Sequence, residues 1–131
     1  MFTRKSIASV MVFTVLAVAL AACGPKGPTT VNVTLTEYKV EMSKTSMPVG
    51  QVKFNITNEG SIVHEVVLEM AGSMDAPLMS GSDASKVINI EPGATATLEW
   101  TIDTPGDYQL SCHLPGHFEN GMVMPFTVTE K

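Results

Sequence analysis

Three side chains that commonly bind metals lie within eleven residues near the carboxyl terminus: Cys112, His117 and Met122. They offer a thiolate, an imidazole and a thioether, which are soft or borderline metal ligands. A Pro-Gly pair lies between the first two residues, and a glycine precedes the third, so the backbone can turn at both points. We therefore expect one loop to present all three ligands to a common point.

A fourth ligand has to come from elsewhere in the chain, and His64 is the candidate. It lies forty-eight residues before Cys112, in a segment where Ile62, Val66 and Leu68 share its parity. Alternate side chains of a strand point to the same face, so His64 is expected to point inward. Taken alone, His64 is typical of a buried core histidine and Cys112 of a small buried hydrophobe. Only their joint placement indicates a metal site.

Two imidazoles, one thiolate and one weak thioether form the ligand set of electron-transferring copper sites, and this mixture accepts both Cu(I) and Cu(II). Zinc is the alternative metal, but structural zinc normally takes four Cys and His ligands. A Cys–His nucleophile is the alternative chemistry, and it leaves Met122 without a role. Met122 is the least specific of the four because Met124, Phe126 and Val128 share its parity, as in an ordinary buried strand.

Short segments of alternating apolar residues position these ligands, with turn residues between them and no helical periodicity. The alternation slips between Leu35 and Tyr38, which predicts a bulge or a strand break there. Residues 71–86 are rich in Gly, Ser, Asp and Ala, and we expect them to form a long loop or a short helix. The pattern as a whole predicts an all-β sandwich or barrel.

On these motifs the chain resembles the cupredoxins, the small blue copper proteins that include plastocyanin, azurin and rusticyanin. The resemblance covers nearly all of the chain after residue 30. Its strongest part is the Cys-x4-His-x4-Met loop, supported by Gly-Asp-Tyr-x-Leu-x-Cys before that loop and by Asn-x-Gly ahead of the first histidine. The resemblance implies a Greek-key β-sandwich and one type 1 copper ion held by His64, Cys112, His117 and Met122.

Two positions depart from the cupredoxin pattern. Many blue copper proteins have Asn or Ser after the first histidine, which ties the two ligand segments together, whereas Glu65 follows His64 here. The hydrogen bonds around the ligands are therefore expected to differ. His113, beside the cysteine, is the competing ligand, although we expect it at the surface, with Met124 in the core and Tyr108 as a packing residue.

The amino-terminal residues indicate export. Arg4 and Lys5 precede an apolar run over residues 7–20, which falls short of the ~20 residues that span a bilayer. The Leu-Ala-Ala-Cys that follows resembles the lipobox of bacterial lipoproteins, which implies a lipid on Cys23; an ordinary signal peptide or an uncleaved helix is the alternative. We expect a signal peptide over 1–22, a lipidated tether over 23–30 and the copper-binding domain over 31–131, in the bacterial cell envelope, facing the periplasm or the cell exterior.

Size and charge restrict the function further. Without residues 1–22 the chain has 109 residues, enough for one domain with a single core. Six basic and thirteen acidic residues remain, a formal charge of −7 with no basic run, so nucleic acid is not an expected partner. With lipid on Cys23, Cys112 has no disulfide partner in an oxidising compartment, and a bound metal explains it.

The resulting hypothesis is a membrane-tethered monomer that carries single electrons between redox partner proteins and has no enzymatic activity. No acid–base pair and no further histidine cluster stands out. The alternative is an exported copper chaperone or copper-homeostasis protein that exchanges copper with donor and acceptor proteins. Methionine content favours this alternative, since Met74 and Met79 lie in the polar segment without an obvious core role. The apolar residues on either side of His117 form either a docking patch or a plain exposed loop.

Overall fold

A computed structural model of the chain describes residues 27–131, which form a sandwich of two β-sheets. The strands are β1 (Thr29–Thr36), β2 (Lys39–Met42), β3 (Ser46–Pro48), β4 (Gly50–Asn58), β5 (His64–Met70), β6 (Met79–Ser80), β7 (Asp83–Ala84), β8 (Lys86–Ile90), β9 (Thr95–Ile102), β10 (Gly106–Ser111) and β11 (Val123–Thr129). One sheet has the order β2-β1-β4-β9, the other β3-β11-β10-β5-β8, and β6 and β7 form a separate hairpin. The predicted signal peptide and Cys23 lie outside the described residues. Within 27–131 no helix is long and apolar enough to cross a membrane.

The core lies between the two sheets and is built from the alternating residues of each strand. Val31 and Leu35 of β1 and Phe54 of β4 are fully buried from one side. Phe126 of β11 meets them from the other side, with its ring 6.1 Å from that of Phe54. The chain crosses between the two sheets after β2, β3, β4, β8 and β9. These observations confirm the predicted all-β, Greek-key β-sandwich.

The structure makes three of the sequence-based expectations more specific, and the strand break predicted after Leu35 is present. Strand β1 begins at Thr29, so the last residues of the predicted tether belong to the sheet. The slip after Leu35 is a two-residue turn between β1 and β2, in which Tyr38 has a φ of 60°. Residues 71–86 contain no helix; they form the β6–β7 hairpin and a bridge between Glu69 and Pro77. Backbone amides of this segment donate hydrogen bonds to side chains elsewhere in the domain and do not form the hydrogen bonds of a helix.

Three strand ends meet at one end of the sandwich, where the predicted ligands lie. Strand β5 begins at His64, β10 ends one residue before Cys112, and β11 begins one residue after Met122. Strand β10 is antiparallel to both neighbours, and Ser111 pairs with Val67 on one side and Val123 on the other. Sheet register therefore brings residues far apart in sequence to the same edge.

Asn58 fixes the loop that leads to His64. Its side chain is fully buried, and its Nδ2 donates to the carbonyl oxygens of Ile62 and Ile90 at 2.8 Å each. Its Oδ1 accepts a hydrogen bond from the Gly60 amide at 2.9 Å. An amide side chain is well suited to this position because it donates and accepts at the same time.

Replacing Asn58 by Ala should lower the free energy of unfolding by about 2–4 kcal/mol, because one buried carbonyl, one partly buried carbonyl and one amide lose their partner. Denaturant unfolding of the metal-free protein measures the change. The matched control is Asn32→Ala, at an exposed position on β1, where we expect a change within about 0.5 kcal/mol. Equal losses in the two variants would show that Asn58 does not hold the loop.

Candidate metal centre

His64, Cys112 and His117 form one compact group of ligand atoms, all within 4.8 Å of one another. The Nδ1 atoms of the two histidines are 3.2 Å apart, and the Cys112 Sγ is 3.3 Å from the Nδ1 of His117. Both rings therefore turn the same nitrogen toward the sulfur. His64 and Cys112 are fully buried, and His117 is 8% exposed.

The sulfur of Cys112 is fully buried, and two backbone amides lie near it. Burial raises the pKa of the thiol above its ordinary value of 9.0, while the backbone N–H groups of Glu65 and Leu114 lower it in part. Those two amides are placed to donate to a thiolate once a cation balances its charge. Without a cation, the thiol is protonated at neutral pH.

His64 is held as a neutral ring. Burial lowers its pKa below the ordinary 6.5, and the neighbouring His117 lowers it further, against a smaller opposing effect of Glu37. Within residues 27–131, its Nε2 is the one buried side-chain nitrogen or oxygen that has no hydrogen-bond partner. A neutral imidazole with a free lone pair is the form that binds metals.

The loop from Cys112 to Met122 brings the remaining ligands together by hydrogen bonds within itself. The His117 amide donates to the Leu114 carbonyl at 2.9 Å, and the Met122 amide donates to the His117 carbonyl at 3.1 Å. The Cys112 amide in turn donates to the Met122 carbonyl at 3.1 Å. The backbone of Met122 is thus bonded to both other ligand segments, and its side chain is fully buried.

Glycine makes the two tight bends of this loop possible. Gly116 and Gly121 have φ values of 82° and 95°, in the left-handed region that side chains with a Cβ rarely adopt. The predicted Pro-Gly turn is therefore present, and the second bend directs Met122 back toward Cys112.

Glu65 connects the two ligand segments, as Asn or Ser does at this position in many blue copper proteins. Its carboxylate oxygen accepts a hydrogen bond from the backbone amide of His113 at 3.0 Å. Since Glu65 follows one ligand and His113 follows another, this bond joins the two ligand segments directly. The departure from the cupredoxin pattern therefore changes the residue and keeps the connection.

His113 is not at the surface, so that prediction was wrong, and it does not join the metal-ligand group. Its side chain is only 7% exposed, and its Nε2 is 2.7 Å from Oε1 of the fully buried Glu69. Gln109 and Ser111 also donate to that carboxylate oxygen, and the Ala76 amide donates to the other. Burial alone would raise the pKa of Glu69, but these hydrogen bonds together hold it below its ordinary value.

Two residues of the β1–β2 turn reach the site and were missed by the sequence reasoning. The ring of Tyr38 stands edge-on to that of His117, with centroids 5.5 Å apart, and Glu37 approaches His64. The slip of the alternation after Leu35 marked a turn here. Nothing in the neighbouring sequence indicated that this turn would pack against His64 and His117, which follow its two residues by 27 and 79 positions.

The three ligand atoms fit a metal ion. The Nδ1–Nδ1 and Sγ–Nδ1 separations of 3.2 and 3.3 Å are what donors around one ion require when each bond measures about 2.0–2.3 Å. One thiolate sulfur and two imidazole nitrogens, with a buried thioether nearby in sequence, match the preference of copper over that of zinc. The assignment of Met122 as the fourth ligand stays a prediction.

Comparison with known proteins gives the following matches. A protein-family model described as Multicopper oxidase matches residues 23–131. The Copper-resistant cuproprotein CopI of Rubrivivax gelatinosus is 35% identical over 80 residues, which cover 55% of this chain and 48% of that protein. CopI of Vibrio cholerae is 29% identical over 116 residues, or 81% of this chain and 69% of that protein. This chain thus matches about half the length of the first relative and about two thirds of the second.

Among solved structures, reduced auracyanin from the photosynthetic bacterium Roseiflexus castenholzii superimposes with a TM-score of 0.65 at 20% sequence identity. The superposition covers 79% of this chain and 99% of auracyanin. At this level of identity, the match shows a common fold.

Addition of Cu(II) to the purified protein should produce a strong sulfur-to-copper charge-transfer band in the visible spectrum, because the Cys112 thiolate would bind the ion directly. Cys112→Ser should abolish the band, while Ser46→Ala, at an exposed position on β3, should retain it. Visible and spin-resonance spectra test this. A band that persists in Cys112→Ser, or a wild-type protein that stays colourless and retains only zinc, would contradict the site.

Copper uptake should release about one proton between pH 7 and about 8.5. Because burial raises the pKa of Cys112 above 9.0 and lowers that of His64 below 6.5, the thiol is protonated and His64 is neutral in this range. Metal binding displaces the thiol proton, so the logarithm of the apparent affinity should rise by about one per pH unit. Competition with a chelator at several pH values measures the slope. The slope should vanish in Cys112→Ser, and a flat wild-type profile would refute thiolate ligation.

Proposed function

Since this chain belongs to the multicopper oxidase family, we propose that it is a single-domain copper-handling protein, which binds copper in the cell envelope and passes it on. It has the cupredoxin fold, and copper is its metal. The observation that carries the proposal is the buried group of His64, Cys112 and His117 in a chain similar to two proteins named copper-resistant cuproproteins.

The chain's own residues suit the capture of copper. Cys112, His64 and His117 would hold the ion, with Met122 as a fourth, weak ligand; bound copper would supply one-electron redox chemistry there. The sulfur is fully buried and His117 is the ligand nearest to solvent. Soft sulfur and imidazole donors hold Cu(I) and Cu(II) alike. The buried position of the thiol would also keep a bound ion from reacting with other solutes.

Exposed thioethers support a role in metal handling. Met74 and Met79 are each 61% exposed, although large apolar side chains of this kind usually pack in a core. Met74 lies in the segment that folds over His113, since the next residue, Asp75, donates its amide to His113 Nε2 at 3.1 Å. Thioether groups favour Cu(I), and both side chains are open to an incoming ion.

The remaining parts of the proposal concern place, partners and chemistry. The amino-terminal pattern supports export, with lipid on Cys23 as the membrane anchor. Copper donor and acceptor proteins would be the partners of a monomer that binds one ion. We propose no oxidase activity for the chain itself, because the described strands bring together one group of three His and Cys ligands, and a multicopper oxidase uses several copper ions.

Electron transfer is the second candidate function, and one observation favours it. The three donor atoms already lie within 4.8 Å of one another, so little rearrangement would accompany a change between Cu(I) and Cu(II). Small rearrangement favours fast electron exchange. The two functions differ in whether the ion stays with the protein.

Expression of the full chain in a copper-sensitive bacterium should raise the copper concentration that permits growth, because the protein would bind envelope copper. The variant Cys112→Ser should lose most of this protection, and Ser46→Ala, at an exposed position on β3, should retain it. Growth curves across a copper series, with protein amounts checked by immunoblot, measure the effect. Equal protection by wild type and Cys112→Ser would contradict copper handling through this site.

A transfer experiment separates the two candidate functions. Cu(I)-loaded protein is mixed with a metal-free acceptor of comparable affinity, and copper in each fraction is measured after separation. A handling protein should transfer about half of its copper, faster as the acceptor concentration rises. An electron carrier should retain its copper through repeated oxidation and reduction in the same mixture, and that result would favour the second function.

A further inference from the structure

The turn between β1 and β2 places two side chains on the two histidines of the metal centre. Tyr38 packs edge-on against the ring of His117. Glu37, the residue before it, has a carboxylate oxygen 4.0 Å from the Nε2 of His64. Tyr38 holds a left-handed backbone conformation with a φ of 60°, which is costly for a residue other than Gly or Asn. The contacts of this turn are therefore maintained against local backbone preference.

The Nε2 of His64 needs an acceptor. If Nδ1 binds a metal, the ring proton must reside on Nε2, which is then an N–H donor inside the protein. This nitrogen is fully buried and has no partner within hydrogen-bond distance in the described part of the chain. The nearest charged group is the Glu37 carboxylate, beyond hydrogen-bond length and within the range of an ion pair. Metal-bound histidines almost always donate their second N–H to a carboxylate, a carbonyl or water.

The Glu37 carboxylate is held in place by the loop that leads to His64. Its Oε1 accepts hydrogen bonds from the amides of Ser61 at 2.6 Å and Ile62 at 3.3 Å, and from the Ser61 hydroxyl at 3.3 Å. The amide of Ser61 in particular holds the pKa of Glu37 below its ordinary value. The group is thus an anion at neutral pH, with a position fixed by backbone donors.

Gly60 makes room for this carboxylate. A Cβ at residue 60 would lie 2.5 Å from Glu37 Oε1 and 3.1 Å from its Cδ. No side chain larger than hydrogen can occupy this position unless the carboxylate moves. Gly60 does not have a positive φ, so the close approach of Glu37, and not backbone conformation, requires a glycine here.

We propose that Glu37 is the positioning residue of the metal centre, which faces the Nε2–H of His64 as an anionic acceptor. This role has two consequences. The carboxylate orients the ring so that Nδ1 points toward Cys112 and His117. Its side chain is 39% exposed, and its negative charge lies one imidazole ring away from a bound ion, where it stabilises Cu(II) more than Cu(I). The inference rests on copper binding and holds for either function above.

The variant Glu37→Gln tests the proposal, since it keeps the side-chain length and one oxygen for the Ser61 amide and removes the charge. We expect Cu(II) affinity to fall at least tenfold and Cu(I) affinity to fall much less. A tenfold change in the ratio of the two affinities corresponds to a rise of about 59 mV in the one-electron reduction potential. The potential, the charge-transfer band and the spin-resonance spectrum of the purified chain are measured. The control Glu41→Gln removes the same charge from β2, where Glu41 pairs with Lys39, and should change the ratio less than twofold.

A second variant, Gly60→Ala, displaces the carboxylate and leaves the charge in the chain. It should shift the reduction potential in the same direction as Glu37→Gln. If Glu37→Gln does not fold, Gly60→Ala tests the proposal by itself. Equal losses of Cu(I) and Cu(II) affinity, an unchanged potential in both variants, or a shift as large in Glu41→Gln would overturn the proposal. A wild-type protein with no copper signal would instead refute the copper site itself.

Discussion

The structure depends on holding one sulfur and two ring nitrogens within 4.8 Å of one another in the protein interior. A thiolate is unstable there by itself, because burial disfavours its charge, and two imidazole lone pairs repel each other when no proton or cation lies between them. The metal-free site solves this with a protonated thiol beside a neutral His64, as the raised pKa of Cys112 and the lowered pKa of His64 indicate. A cation replaces the thiol proton, so the same three side chains are compatible with burial with and without the metal.

The ligands keep their positions because the residues that bear them lie at or next to the ends of paired strands. Neighbouring antiparallel strands fix the backbones of His64 and Cys112, and the carboxylate of Glu65 joins the ligand segments through the His113 amide. The polar cluster around Glu69 reinforces the same strands. A buried carboxylate is costly unless several donors satisfy it. Three donors do so here, from β10 and the 71–78 segment, and the ring of His113 lies against the same carboxylate.

The fold class and the residues that converge could both be predicted from the sequence, because each depends on the spacing of residue types along the chain. Period-two alternation marked β1, β4 and β9, and the loop spacing of Cys112, His117 and Met122 identified the ligand segment. Long-range polar contacts were not predictable in this way. His113 was expected at the surface because its partner Glu69 lies forty-four residues away, and charged residues are rarely buried. The position of the turn that contains Glu37 could be predicted from the sequence. The packing of that turn against His64 could not.

Loss or retention of the ion should be decided by the segment after Cys112. The sulfur is fully buried while His117 is 8% exposed, so an ion can leave only on the His117 side, and only after this segment moves. Its hydrogen bonds run mostly between Leu114 and Met122, with left-handed glycines at residues 116 and 121 as the bends. Such local bonds can break without separating the two sheets, and openings of this kind cost less than global unfolding. Electron transfer needs no such opening. The same fold can therefore keep an ion through a redox cycle or release it, depending on whether this segment opens.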